Sequence, residues 1–211
     1  RSCLVGSEMC IRDRIKIVLI FMWLWITNLF NFMDGIDGIT ASQTITFSLG
    51  ITLLSFNSEI LLELKYLGLI FFSSILGFLY WNQPPAKMFL GDCGSIPIGF
   101  LIGGICILSL INLNNFVPTM LLLLYYVLDS SLTLTNRVVK KKNIFTAHSE
   151  HFYQKKVRSG WSHKEVLLKI TITNCILIIF ALLYGKYKLP ILICSILLVL
   201  SLLFWLSKKK S

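Results

Sequence analysis

Charge is scarce in this sequence. Only 14% of its 211 residues are Asp, Glu, Lys or Arg, against roughly 25% in an average soluble domain. Acid is scarcer still, with 10 carboxylates against 20 Lys and Arg and a net charge of +10. Disorder is excluded, because disordered chains are poor in Leu, Ile and Phe, whereas 55% of this chain is hydrophobic. A soluble domain is disfavoured as well, since Leu and Ile runs recur along most of the length. The 6 cysteines form no CxxC pair, and Cys106, Cys175 and Cys194 sit inside apolar runs. That argues against a disulfide framework or a zinc site. No Walker A or GxGxxG pattern is present, which disfavours an ATPase or a dinucleotide enzyme. Proline is sparse at 5, and no low-complexity tract or fixed-period repeat marks a linker.

What remains is an all-α, polytopic transmembrane helical bundle. A bilayer core takes about 20 mostly apolar residues per helix. On that scale seven spans are expected, at roughly 15–33, 40–56, 61–80, 96–111, 116–135, 166–184 and 189–207. Two of them are short, which predicts tilt or broken ends. Residues 1–14 (RSCLVGSEMCIRDR) carry no starting Met and no apolar periodicity. They read as a non-native leader joined to a truncated frame, or as a natural polar N-terminus. Residues 15–211 then form a single integral membrane domain.

Alternating the spans puts 34–39, 81–95, 136–165 and 208–211 on one face. That face holds Lys87, Arg137, Lys140, Lys141, Lys142, Lys155, Lys156, Arg158, Lys164 and Lys208 to Lys210, while the connections on the other hold only Lys65, Lys186 and Lys188. Arg12, Arg14 and Lys16, before or at the start of the first span, would also fall there, against the positive-inside rule. The positive-inside bias makes the first face cytoplasmic. Asp34, Asp37, Asp92, His148 and His151 all fall on it too. An enzyme that brings a soluble substrate to a lipid gathers its chemistry in this way. A transporter or channel places ionisable groups near the midplane instead. Only Asp129 falls within a span, so an acidic ion path through Asp129 and the Asp34/Asp37 loop is the alternative. A membrane scaffold whose basic loop rests on anionic lipid is a third reading.

Three clusters carry the chemistry. In Asn28-Leu-Phe-Asn31-Phe-Met-Asp34-Gly-Ile-Asp37-Gly38, the polar residues recur every three positions, which stacks them on one helix face. Hard oxygen ligands without thiol or imidazole suit Mg²⁺, and a capped turn at a helix stop is the other reading. In Pro84-Pro85-Ala-Lys87-Met-Phe89-Leu-Gly91-Asp92-Cys-Gly94-Ser95, the prolines stiffen a loop, and the glycines let backbone approach a ligand. Ser95 is placed to cap the next helix, whose N-terminus suits phosphate. The third cluster, Ala147-His148-Ser-Glu150-His151-Phe-Tyr153-Gln154, lies in the long basic connection, and a helix would put both histidines on one face. His163 reads as a polar surface residue before the next helix.

NLFNFMDGIDG, PPAKMFLGDCGS and AHSEHFYQK, in this order and on one face, resemble the polyprenyl-phosphate N-acetylhexosamine-1-phosphate transferases of glycosyltransferase family 4. The resemblance implies attack by a polyprenyl phosphate on the β-phosphorus of a UDP-N-acetylhexosamine, with release of UMP. It assigns Asn31 and Asp92 to a Mg²⁺ cofactor, and Asp34 and Asp37 to the acidic active-site loop. It sets Phe89 against the uracil, with Asn28, Lys87 and Gly91 as further substrate contacts. It brings His148 and His151 to the diphosphate as catalytic residues. The implied setting is the bacterial plasma membrane, with the active site facing the cytoplasm. The lipid bilayer and a second copy of the chain are candidate partners, and nucleic acid is not. AHSEHFYQK is closer in form to the O-antigen and enterobacterial-antigen branch than to the peptidoglycan branch. Members also carry an adjacent Asp-Asp pair on an earlier loop and about three more N-terminal spans. Neither is present in these residues, so a fragment inactive by itself is expected.

Overall fold

The computed structural model describes residues 2–56, 62–111, 113–143 and 149–208. Among the described residues every regular element is helical. They are α1 (Ser2–Phe32), α2 (Ile39–Ser55), α3 (Leu62–Asn82), α4 (Gly91–Ile111), α5 (Leu113–Leu122), α6 (Leu124–Val139), α7 (Phe152–Arg158), α8 (His163–Leu183) and α9 (Lys188–Ser207). Five stretches are long and apolar enough to cross a bilayer: Arg14–Phe32, Glu63–Asn82, Gly91–Leu110, His163–Leu183 and Lys188–Ser207. Their outer faces stay apolar, as exposed Phe21, Ile70 and Phe204 illustrate. Lipid tails solvate such faces, so burial inside protein is unnecessary.

The other two expected spans depart from a straight crossing. The stretch expected at 116–135 is broken at Leu123, where α5 and α6 meet at 70°. The stretch expected at 40–56 is α2, only 17 residues long and buried along most of its length. The expected short span at 96–111 is in fact a 21-residue helix that begins at Gly91, so the preceding loop is shorter than expected.

α2 packs against α3, α8 and α5, and its composition suits that place. Most of its hydroxyls fold back on their own helix: Thr44 Oγ1 donates to the Thr40 carbonyl at 2.7 Å, Thr52 to Ser48 at 2.8 Å and Ser55 to Ile51 at 2.8 Å. Gln43 does more. Its Nε2 donates to the Leu122 carbonyl at 2.8 Å, beside the α5–α6 break, and its Oε1 accepts from Asn174 Nδ2 of α8 at 2.8 Å. A broken helix is tolerated at membrane depth where neighbouring groups such as this side chain take up the freed backbone.

α1 and α4 approach closely through a glycine. A Cβ at Gly99 would lie 2.8 Å from the Thr27 carbonyl oxygen and 2.9 Å from Thr27 Cα. One turn away, Trp23 Nε1 donates to the Phe100 carbonyl at 2.7 Å, and the two rings stack at 4.7 Å.

This contact generates a paired test. Gly99→Ala is expected to push α1 from α4 and lower stability by about 1–3 kcal/mol, read as a lower melting temperature in detergent. Gly77→Ala, where a Cβ meets nothing within 4 Å, is expected to hold or raise the melt, by up to about 1 kcal/mol from helix propensity.

Candidate active site

The connections expected on one face do converge at one end of the bundle. α1 stops at Phe32 because the chain turns at Met33, whose N–H still donates to the Leu29 carbonyl at 3.0 Å. Gly38 then takes φ 77°, a left-handed conformation that disfavours side chains, and α2 begins. Asn82, at the end of α3, clamps this turn to the next loop. Its Oδ1 accepts from Gly38 N at 3.1 Å, and its Nδ2 donates to the Met88 carbonyl at 2.9 Å. Asp37 Oδ2 accepts from Ala86 N at 3.2 Å and lies 3.2 Å from His163 Nδ1.

Between these segments lies a cavity of about 300 Å³ lined by Asp34, Gly35, Ile36, Asp37, Asn82, Phe89, Leu90, Gly91 and His163. That volume falls within the small-ligand range. The lining includes the residues just before α2, the first residue of α4 and the first residue of α8. Helix N-termini carry partial positive charge and free N–H groups, so their convergence favours an anion.

Asn31, on the last turn of α1, donates through Nδ2 to Asp92 Oδ1 at 2.8 Å and to Ser95 Oγ at 3.3 Å. The two expected metal ligands therefore lie side by side. Burial pushes the Asp34 carboxyl above the usual carboxylate range; a hydrogen bond from Thr40 opposes this, and the charge of Asp92 adds to the rise. A divalent cation would relieve that repulsion, and the donors present are hard oxygens, so the set fits Mg²⁺. No group of three His, Cys, Asp or Glu converges among the described residues. Mg²⁺ commonly takes only one or two protein carboxylates and completes its shell with phosphate and water.

The remaining expected residues are placed as follows. Phe89 is 75% exposed and lines the cavity with Gly91, where a Cβ would meet nothing within 4 Å. Lys87 stands on the same loop with its ammonium 5.8 Å from the Trp81 ring. Asn28 is exposed and donates back to the Leu24 carbonyl at 3.0 Å. Asp34 lies beyond the helix end, so the stacked face stops at Asn31. Ser95, expected as a helix cap, is buried inside α4, because that helix starts four residues earlier. His148 lies outside the described residues.

His151 caps α7 instead of joining a helical face with His148. It is 1% exposed and absent from the cavity lining, and its Nδ1 lies 3.0 Å from Asp129 Oδ1. Asp129 also accepts from Phe152 N at 3.2 Å, Thr133 Oγ1 at 3.3 Å and Tyr125 Oη at 3.4 Å. The acid expected to serve an ion path is thus enclosed by donors. This anchor seats α7 under the acidic loop: Tyr153 Oη donates to the Phe32 carbonyl at 3.4 Å, and a Cβ at Gly35 would press on Tyr153 Oη. At the other end of α7, Lys156 Nζ donates to the Trp205 and Lys208 carbonyls, both at 2.9 Å, closing the C-terminus of α9.

Sequence reasoning missed His163, Asn82 and the Asp129 anchor. His163 carried a readable signal. Ser162 and Glu165 form a capping box, with Glu165 N donating to Ser162 Oγ at 3.2 Å and Ser162 N to Glu165 Oε2 at 3.0 Å. That pattern starts a helix at His163, on the face that carries the acids.

A family model described as Glycosyl transferase family 4 matches residues 7–110. A probable undecaprenyl-phosphate N-acetylglucosaminyl 1-phosphate transferase of Bacillus subtilis (strain 168) is 30% identical over 168 residues, 78% of this chain and 47% of the relative. Phospho-N-acetylmuramoyl-pentapeptide-transferases are similar as well. The Carboxydothermus hydrogenoformans enzyme is 29% identical over 170 residues, 77% of this chain and 49% of its own length. The one from Acetivibrio thermocellus is 32% identical over 165 residues, 74% and 47% respectively. The chain spans about half the length of these curated relatives.

Two outcomes follow from the site. Folded Asp34 holds its proton more tightly than unfolded Asp34, so the folded state binds more protons between the ordinary aspartate range and the raised value. Stability therefore falls as pH climbs through that window, and melting curves of Asp34→Asn are expected to lose this part of the slope. Asp129→Ala strands buried donors that each cost about 1–3 kcal/mol. It is expected to lower the melt and speed proteolysis within 140–158, as α7 leaves the bundle.

Proposed function

Because this chain belongs to glycosyl transferase family 4, we propose that its acid-lined cavity takes the diphosphate of a UDP-N-acetylhexosamine and transfers the sugar-1-phosphate to a polyprenyl phosphate. An oxygen of the lipid phosphate attacks the β-phosphorus, the diphosphate bond breaks, and UMP leaves. The product is a lipid-linked sugar that begins a cell-envelope polysaccharide. The observation that carries this reading is the cavity itself, where Asp34, Asp37, Phe89, Gly91 and His163 meet at the starts of α2, α4 and α8.

Phosphoryl transfer asks a protein mainly for positioning and charge neutralisation. The helix N-termini and the open backbone at Gly91 would receive phosphate oxygens. The exposed ring of Phe89 offers a stacking face for a base, and Lys87 stands on the same loop. Asn31 and Asp92 would hold Mg²⁺, which supplies positive charge to the diphosphate when bound. Asp34 and Asp37 shape the acidic side of the pocket. We assign His151 a positioning role through α7, because Asp129 holds its ring away from the cavity lining. The cavity lies among the connections at the end of the bundle whose loops and helix ends hold Lys87, Arg137, Lys140 to Lys142, Lys155, Lys156, Arg158 and Lys164. The positive-inside rule makes that end cytoplasmic, in a bacterial plasma membrane.

The test is binding of UDP-GlcNAc with Mg²⁺ to the chain in lipid nanodiscs, by titration calorimetry. Asp92→Asn is expected to weaken binding by about tenfold or more while the melt is retained, since it removes the carboxylate assigned to Mg²⁺ and loss of even an outer-shell partner of a metal costs about 10–100-fold. Unchanged affinity in Asp92→Asn, or altered ion flux in its place, would overturn the reading. The 211 residues contain no adjacent Asp-Asp pair. We expect UMP release with undecaprenyl phosphate to stay at background for this chain alone, and robust Mg²⁺-dependent turnover would contradict that.

A further inference from the structure

The cavity lining holds two carboxylates, Asp34 and Asp37, and Asp92 stands next to lining residue Gly91. A diphosphate bound there adds more negative charge, so beside any bound Mg²⁺ the site gains from a side chain that can be cationic. Of the residues that line the cavity, one has a side chain able to carry it, and that is His163. Several basic groups at this end of the bundle are engaged elsewhere. Lys142 Nζ and Arg137 Nη1 reach Glu150 at 2.7 and 3.1 Å. Lys155 lies over Phe152 at 5.2 Å, and Lys156 is buried on the carbonyls that end α9.

We infer that His163, in its protonated form, is the cationic side chain that the cavity lining offers to the phosphoryl groups of the ligand, with Asp37 holding its ring in place. The inference rests on the reading of the cavity as a diphosphate site, and deepens it. Three features carry it. The capping box of Ser162 and Glu165 fixes His163 as the first residue of α8, at a helix end that favours anions. Asp37 Oδ2 sits 3.2 Å from Nδ1, which leaves Nε2 as the ring nitrogen available to a ligand. The side chain is 38% exposed, whereas His151 is 1% exposed and bound to Asp129. Since Asp37 also accepts from Ala86 N, one carboxylate aligns the turn before α2, the loop before α4 and the start of α8.

The experiment measures UDP, UMP and uridine binding with Mg²⁺ by the full 211-residue chain in nanodiscs, for wild type, His163→Gln, His163→Lys and Asp92→Asn. His163→Gln is expected to weaken UDP by about tenfold and uridine by less than about twofold, the loss of one charge-assisted hydrogen bond. His163→Lys is expected to recover most of the UDP affinity, because it restores the charge. Melting curves of all variants control for folding. If His163→Gln binds UDP as well as wild type while Asp92→Asn does not, the inference falls and the diphosphate site stands. If His163→Gln weakens UDP and uridine equally and His163→Lys fails to rescue, His163 only braces Asp37, which also overturns it. If wild type binds UDP no better than uridine, the diphosphate reading itself fails, and the inference with it.

Discussion

The carboxylate of Asp129 joins the polar end of this protein to its membrane bundle. It sits in the second turn of α6, within the broken span, and collects His151, the Phe152 N–H, Thr133 and Tyr125. A carboxylate taken out of water at such a depth is costly unless donors surround it. Here the donors come from both sides, the bundle helix and the returning loop. The same bonds that satisfy the charge therefore dock the long basic connection. Once α7 is seated, Tyr153 and Gln154 fill the space over Gly35, where a Cβ would force their side-chain ends to move. The acidic turn before α2 is thereby backed from behind and faces the cavity.

Lipid as solvent accounts for the rest of the bundle. Outward faces stay apolar, so polarity is concentrated inside, and α2 is the inner helix. Most of its Thr and Ser hydroxyls bond along their own helix, and Thr40 and Ser42 pair with Tyr126 and Thr171, which lets it sit among neighbours without stranding polar groups. Gln43 spans α2, the α5–α6 break and α8. That bridge takes up the Leu122 carbonyl at the 70° bend, and just beyond the bend Asp129 of α6 meets the loop that carries His151 and Phe152.

Much of the candidate site was legible before any fold. The acids of NLFNFMDGIDG and GDCGS do approach one another, and Asn31 does reach Asp92. Phe89 and Gly91 do line the cavity. The histidines were harder to read. Two His at a helical spacing look like a functional pair, yet His151 is a helix cap held by a buried acid, while His163 meets Asp37. Residue type was the same in both cases; only the partner differed. Ser95 misled for a related reason: Gly91 starts α4 a full turn earlier than a Ser cap suggests.

Hydropathy and residue chemistry are local properties, and the amino-acid order alone determined what depends on them. These are an all-helical bundle, the positions of most spans, a heavily basic face and the oxygen-rich clusters that share it. Tertiary structure decided what depends on neighbours distant in the chain. It buried α2, bent the span at Leu123, gave His151 to Asp129 and gave His163 to Asp37. A span's composition says that it can enter a bilayer, because lipid contact is a sum over its own residues. Which helix lies beside which is settled by close approaches and bonds between chain segments, such as Gly99 against Thr27 and Gln43 against Asn174, and no single segment encodes those.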